Sequence, residues 1–315
     1  MDLKPRVVFM GTPELACASL QALLDCPHLK IVGVATQPDR SKGRDLKLTA
    51  SPVKALALER SLPLLQPEKA RDPQFLEALR ELRPDLICVA AFGQILPLAI
   101  LELPRFGCLN VHTSLLPKYR GAAPIQWALL NGDTQTGVTI MKMDAGLDTG
   151  PILAQESTPI SDQDDAESLH NRLATLGARL LARTIPAYLE QRVAPSTQPA
   201  IGVSYARKII KQDGLMDWRK PARELWNQVR GLVPWPGAFT RLPAGAGGLL
   251  KIWRAQVAPA DGPPGEILRS ENNALVVGCG EKSLQILLLQ REGGRRLAPQ
   301  QFLPGCPLPP GKRLG

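Results

Sequence analysis

None of the apolar stretches in this 315-residue chain reaches the roughly 18 to 20 residues needed to cross a bilayer, so no membrane span is expected. The opening Met1-Asp2-Leu3-Lys4-Pro5 passes straight into a strand-like segment instead of a secretion signal, and the expected address is the cytoplasm. Cysteine is sparse. Cys17, Cys26, Cys88, Cys108, Cys279 and Cys306 form no CxxC pair, which argues against a zinc site or a disulfide framework, and most of them read as small buried hydrophobes. No Walker or GxGxxG phosphate loop is present; Gly11-Thr12-Pro13 follows a strand but lacks the further glycines, and reads as a tight turn. Internal repeats, heptad runs and low-complexity tracts are also missing. With only three histidines, His28, His112 and His170, each can be weighed individually.

What remains is an ordinary globular composition, with 44% hydrophobic and 21% charged residues and 30 prolines that imply many irregular connections. The length of 315 residues suggests two domains. Charge separates them. Residues 1–200 carry 21 Lys and Arg against 21 Asp and Glu, whereas residues 201–315 carry 17 against 8, so the whole net charge of +9 lies in the last third. A neutral module for chemistry joined to a basic module for a polyanion fits this split; a basic surface kept for solubility fits it as well.

In the first part, an apolar run at Arg6–Met10 ends in the Gly-Thr-Pro turn and is followed by Leu15, Leu20, Leu23 and Leu24 at helical spacing. Further strands are predicted at Ile31–Ala35, Asp85–Ala90 and Gly107–Val111, with helices opening at Ser51-Pro52 and near Ala123. From Asp165, the apolar positions Leu169, Leu173, Leu176 and Leu180 mark a long amphipathic helix that ends or kinks near Pro186. The alternation predicts an α/β fold: a Rossmann-like, mainly parallel sheet with helices on both faces. Residues 1–190 form this domain, 191–207 read as a linker containing Pro195 and Pro199, and 208–315 form a second domain. There a helix at Pro221–Arg230 precedes strand-like runs at Leu249–Val257, Gly265–Arg269, Ala274–Val277 and Ser283–Leu289, the pattern of a smaller β-barrel.

Ligands of open α/β sheets sit beyond the carboxyl ends of the strands, which directs attention to the loops after Ala90 and Val111. Asn110 and His112 are two apart, so in an extended chain both side chains leave one face of the strand. An amide beside an imidazole can hold an oxyanion while a carbonyl is attacked. Asp148, in Met143-Asp144-Ala145-Gly146-Leu147-Asp148-Thr149-Gly150, is the candidate carboxylate to orient the ring. A hydrogen-bonded core histidine and a turn aspartate would produce the same spacing, and spacing alone leaves both readings open. His28 and His170 lie apart from obvious polar partners and read as structural or surface residues.

The block NVHTSLLPKYRGAAP from Asn110 to Pro124 resembles the folate-dependent formyltransferases, and the resemblance spans nearly the whole chain. It extends to VVFMGTPELA at 7–16, TQPDR and KGR at 36–44, SPVK at 51–54, MDAGLDTGPIL at 143–153, ARKIIKQDGLMDW at 206–218 and RGLVPWPGAFT at 230–240. The resemblance implies a Rossmann-like catalytic domain, a C-terminal OB-like barrel that binds tRNA, and 10-formyltetrahydrofolate as formyl donor without a metal. Asn110, His112 and Asp148 match the family's catalytic set. Ser114, Leu115, Leu116 and Pro117 match the stretch against the folate, while Phe92, Gly93 and Leu96 would border its pterin pocket. Arg44 matches a basic residue in a loop that reaches the acceptor end of tRNA, although Asp45-Leu46-Lys47 departs from the consecutive basic residues common there.

The C-terminal segments, and the lack of an appended dehydrogenase or epimerase domain, point to methionyl initiator tRNA as the acceptor. The chain is expected to act as a monomer. The methionyl α-amine would attack the formyl carbon, Asn110 and protonated His112 would hold the oxyanion, and Asp148 would support the imidazolium and, with water, relay the proton. Lys208 and Lys211, with Arg219, Lys220 and Arg223, are the candidate tRNA patch. An amino sugar nucleotide as acceptor, or a non-catalytic RNA-binding protein of the same fold, are the competing readings.

Overall fold

The computed structural model describes residues 4–42, 47–243, 247–271 and 274–315, so Arg44, Asp45 and Leu46 lie outside the described residues. To residue 206 the chain forms β1 (Arg6–Gly11), α1 (Glu14–Leu24), β2 (Lys30–Ala35), the hairpin β3 (Arg40–Lys42) and β4 (Lys47–Thr49), and α2 (Pro52–Glu59). Then come β5 (Leu64–Leu65), α3 (Pro73–Leu82), β6 (Leu86–Ala90), α4 (Leu98–Leu101), β7 (Cys108–His112) and β8 (Arg120–Gly121). They are followed by α5 (Pro124–Leu130), β9 (Gln135–Lys142), β10 (Ile152–Pro159), α6 (Ala166–Leu189) and β11 (Tyr205–Ala206).

Two compact units divide the chain; the first comprises Met1–Pro124, Thr136–Thr158 and His170–Ala206. Its seven-stranded sheet runs β10-β9-β7-β6-β1-β2-β5. The pairs β1–β2, β1–β6, β6–β7 and β2–β5 are parallel, and only a strand covered on both faces can be as uniformly buried as Val7–Met10 or Leu86–Ala90. Local signals fix the helix starts: Ser51 Oγ accepts from the Lys54 N–H at 3.0 Å with Pro52 in the first turn, and the Asp72 carboxylate accepts from the Gln74 N–H at 3.0 Å.

One feature differs from the sequence expectation. β9 adds antiparallel to β7, pairing Asn110 with Met141 and His112 with Thr139. Thr136 and Thr139 are buried within β9, so the strand lacks the apolar alternation that would announce it. The helix α6 contains Pro186 and ends at Leu189, close to the expected stop.

The second unit comprises Ile125–Gln135, Pro159–Leu169 and Arg207–Gly315. Its elements are α7 (Ala222–Gly231), β12 (Ala238–Arg241), β13 (Leu249–Ala258), β14 (Ile267–Glu271), β15 (Ala274–Gly278), β16 (Ser283–Arg291) and the short α8 (Pro299–Phe302). The sheet is antiparallel, ordered β12-β13-β16-β15-β14, and its buried face packs Leu250, Ile252, Val277, Leu284 and Ile286 with Leu225 and Val229 of α7. Residues 159–169 are held into this unit by Arg230, which donates to Ser161 O at 2.9 Å and Asp164 O at 3.3 Å, and by the Arg223–Asp162 pair at 2.8 Å. Among the described residues, no helix is long and apolar enough to cross a membrane.

Candidate active site

Alternation along β7 sends Asn110 and His112 to the same face, and the loop between β9 and β10 brings Asp148 to them. Asn110 Nδ2 lies 3.4 Å from Asp148 Oδ1, and His112 Nδ1 lies 3.7 Å from Asp148 Oδ2. The imidazole is nearly buried, at 6% side-chain exposure, and the carboxylate is 15% exposed. His112 Nε2 is 2.9 Å from Tyr119 O. A carbonyl can only accept, so Nε2 carries a proton and the ring is anchored through it. The 3.7 Å gap on the other side is too long for a hydrogen bond, which leaves Nδ1 electrostatically paired but, among the described residues, without a hydrogen-bond partner.

Asp148 is held with more constraint than the other two. Its Oδ2 accepts from the Gly121 N–H at 2.8 Å, its own carbonyl accepts from Gln198 Nε2 at 2.8 Å, and its φ of 52° is left-handed. The loop is shaped from within by Asp144, whose carboxylate accepts from the Gly146 N–H at 3.0 Å and Thr149 Oγ1 at 2.7 Å. Gly150 closes it: a Cβ there would overlap Lys142 O and crowd Asp144 N at 3.3 Å.

The stretch expected against the folate is pinned by buried polar contacts. Ser114 is buried and its hydroxyl donates to Lys118 O at 2.6 Å, so the side chain serves a turn. Thr139 Oγ1 donates to Ser114 O at 2.7 Å and accepts from the Leu116 N–H at 3.1 Å, while Gln155 Nε2 donates to Leu116 O at 2.8 Å. Leu116 is buried; Leu115 and Pro117 are half-buried. In the loop after β6, Phe92 and Leu96 belong to the core, Gly93 takes a φ of 80°, and Ile95 stands 86% exposed. A cavity of about 420 Å³ opens at this loop, lined by Lys69, Ala70, Arg71, Gln94, Ile95 and Pro97.

The cysteines lie outside this chemistry. Burial pushes the Cys108 thiol, two residues from Asn110, up to about 12, so no thiolate forms beside the site. In the second unit Lys208 and Lys211 are exposed, whereas Arg219 pairs with Asp217 at 2.8 Å and Lys220 with Glu224 at 3.5 Å. His28 is exposed, and His170 Nδ1 lies 3.3 Å from Asn171 Oδ1.

Sequence reasoning missed Gly121, Thr139, Gln155 and Gln198, because each acts through a pairing that the chain's spacing does not reveal.

The formyl transferase family matches residues 5–185, and the formyl transferase C-terminal domain matches residues 208–307. Methionyl-tRNA formyltransferase of Pelobacter propionicus is 52% identical over 309 residues, covering 98% of this chain and 96% of that protein. The protein of the same name from Myxococcus xanthus is 50% identical over 310 residues, covering 98% of both chains. Among solved structures, an N-formyltransferase from Helicobacter canadensis in complex with folinic acid and dTDP-3-aminofucose aligns with a TM-score of 0.65 at 20% identity, covering 90% of this chain and 98% of that one. At that identity the likeness establishes the fold. On the strength of both domain matches and of relatives near half identity over almost their full length, the chain belongs to the formyl transferase family.

Proposed function

We propose that the protein transfers the formyl group of 10-formyltetrahydrofolate to the α-amine of methionyl initiator tRNA in the cytoplasm. Two kinds of observation support this reading: relatives named methionyl-tRNA formyltransferase that match along both units, and the convergence of Asn110, His112 and Asp148. The convergence carries it. An aminoacyl α-amine, with a reference pKa near ~8 that the adjacent ester lowers, is sufficiently neutral at physiological pH to attack the formyl carbon. The tetrahedral oxyanion then needs donors. Asn110 Nδ2 supplies one; His112 Nδ1, anchored through its opposite nitrogen and without a hydrogen-bond partner among the described residues, supplies the other when protonated. Asp148 holds the imidazolium and, with water, passes the amine's proton to the departing N10 of the folate, so the C–N10 bond breaks as the oxyanion collapses back to a carbonyl on the new amide.

The folate would lie along Ser114–Pro117, with its pterin toward the loop of Phe92, Gly93 and Leu96, where the exposed Ile95 and the neighbouring cavity offer an apolar wall. The basic last third would hold the tRNA backbone, with Lys208 and Lys211 as exposed contacts and Arg44 extending the reach toward the acceptor end. An amino sugar nucleotide would leave this excess of charge unused. Incubating the purified protein with 10-formyltetrahydrofolate and, separately, charged initiator tRNA, charged elongator methionyl-tRNA and an amino sugar nucleotide tests the proposal. N-formylmethionine formed on initiator tRNA is the expected product; turnover of the sugar alone would overturn it.

A further inference from the structure

Residues 191–207, rich in proline and poor in apolar clusters, look like a tether in sequence, but one residue in them grips the backbone of the loop that carries the candidate catalytic carboxylate. Gln198 is buried at 8% exposure. Its Nε2 donates to Asp148 O and to Gly150 O, both at 2.8 Å, and its Oε1 accepts from Arg120 Nε at 3.1 Å and Arg120 Nη2 at 2.7 Å. Two carbonyls on one side and a guanidinium on the other admit one orientation of the amide only. The next residue after Arg120, Gly121, gives its N–H to Asp148 Oδ2. The same segment pairs β11 with β8, bonds Ser204 Oγ to the Tyr119 N–H at 2.9 Å and accepts from the Arg120 N–H at Ser204 O, also 2.9 Å.

Resting on the function proposed above, we infer that Gln198 is a positioning residue: it clamps the backbone on either side of Thr149 to Arg120 and so fixes where the Asp148 carboxylate meets Asn110 and His112. The argument is geometric. Asp148 adopts a left-handed φ that is unfavourable for a residue with a Cβ, and Gln198 grips the carbonyl of that residue. Because Arg120 and Gly121 are adjacent, the clamp and the Gly121 N–H that holds the carboxylate move together. A reactive carboxylate displaced by about 1 Å would cost up to ~100-fold in rate.

Gln198→Glu tests this with the least disturbance, since it retains the Arg120 contact and turns both donations to Asp148 O and Gly150 O into repulsions. Gln198→Ala removes both sides. In each variant kcat should fall roughly 10- to 100-fold while KM for 10-formyltetrahydrofolate and for tRNA stays within about twofold. Amide exchange reads the clamp without turnover. The Gly121 N–H should exchange at least about tenfold faster in Gln198→Glu, whereas the Ala122 N–H, bonded to Ala206 O at 2.9 Å and independent of Asp148, should keep its rate. Unchanged kcat, or unchanged Gly121 protection in a folded Gln198→Glu protein, overturns the positioning role. A wild-type protein that formylates no methionyl-tRNA would instead refute the proposed function, and the exchange measurement would still decide the clamp.

Discussion

Asp148 and Lys208 show two ways of handling charge in one chain. The carboxylate in the first unit is mostly buried: its oxygens meet the Gly121 N–H, Asn110 and His112, and the backbone carbonyl of the same residue accepts from Gln198. The ammonium in the second unit is exposed, like Lys211 three residues on. Transfer chemistry needs a charge whose position is determined before the reaction starts, because donors preorganised around a developing oxyanion need no rearrangement. Capture of a polyanion needs many adaptable cations, each worth little alone and together responsive to salt. The net neutrality of residues 1–200 and the excess of basic residues after them are the sequence trace of that division.

The largest effects should fall on the rigid side of the comparison. Asn110→Ala and His112→Ala are each expected to lower kcat about 100- to 1,000-fold, the usual loss for one oxyanion donor, with KM for tRNA little changed in steady-state assays. Gly150→Ala should follow, at roughly 10- to 100-fold in kcat, because the added Cβ meets Lys142 O and forces the Asp148 loop outward. A variant of normal rate at either position would show that the site tolerates looseness the comparison denies.

On the adaptable side the losses should appear in KM. Lys208→Glu combined with Lys211→Glu is expected to raise KM for tRNA roughly tenfold at low salt and to flatten its salt dependence by about two units of log–log slope, with kcat preserved. A salt-insensitive KM in the parent protein would break the polyanion reading altogether. Charge reversal is cleaner than truncation, since the second unit also contains residues 125–135 and 159–169 and a cut at 207 would divide it. The smallest effect is expected at Arg219→Ala, within about twofold, because Asp217 already neutralises that guanidinium and exposed pairs contribute little.

The α/β fold was legible because its central strands are continuous apolar runs and its helices announce themselves with Ser51-Pro52 and the leucine spacing after Asp165. That Asn110 and His112 share one face was legible for a related reason: strand alternation is local, whereas the contact of Asn110 with Asp148, 38 residues on, was left open by spacing. Gln198 was not legible. Its partners lie 50 residues away at Asp148 and 78 away at Arg120, and its segment is held by hydrogen bonds rather than by periodic apolar burial, so it carries the composition of a linker. β9 escaped for the same reason, since Thr139 is buried to bond the Ser114–Leu116 turn and interrupts the hydrophobic pattern.

The claim on which everything else depends is that Asn110 and His112 act on one oxygen, and a double-mutant cycle measured by single-turnover formyl transfer addresses it directly. With folate and methionyl-tRNA saturating, the Asn110→Ala/His112→Ala protein should be no more than about tenfold slower than the slower single variant, because groups that act as a unit lose their effect together. Losses that multiply in full, or a near-normal rate in either single variant, would contradict the shared site.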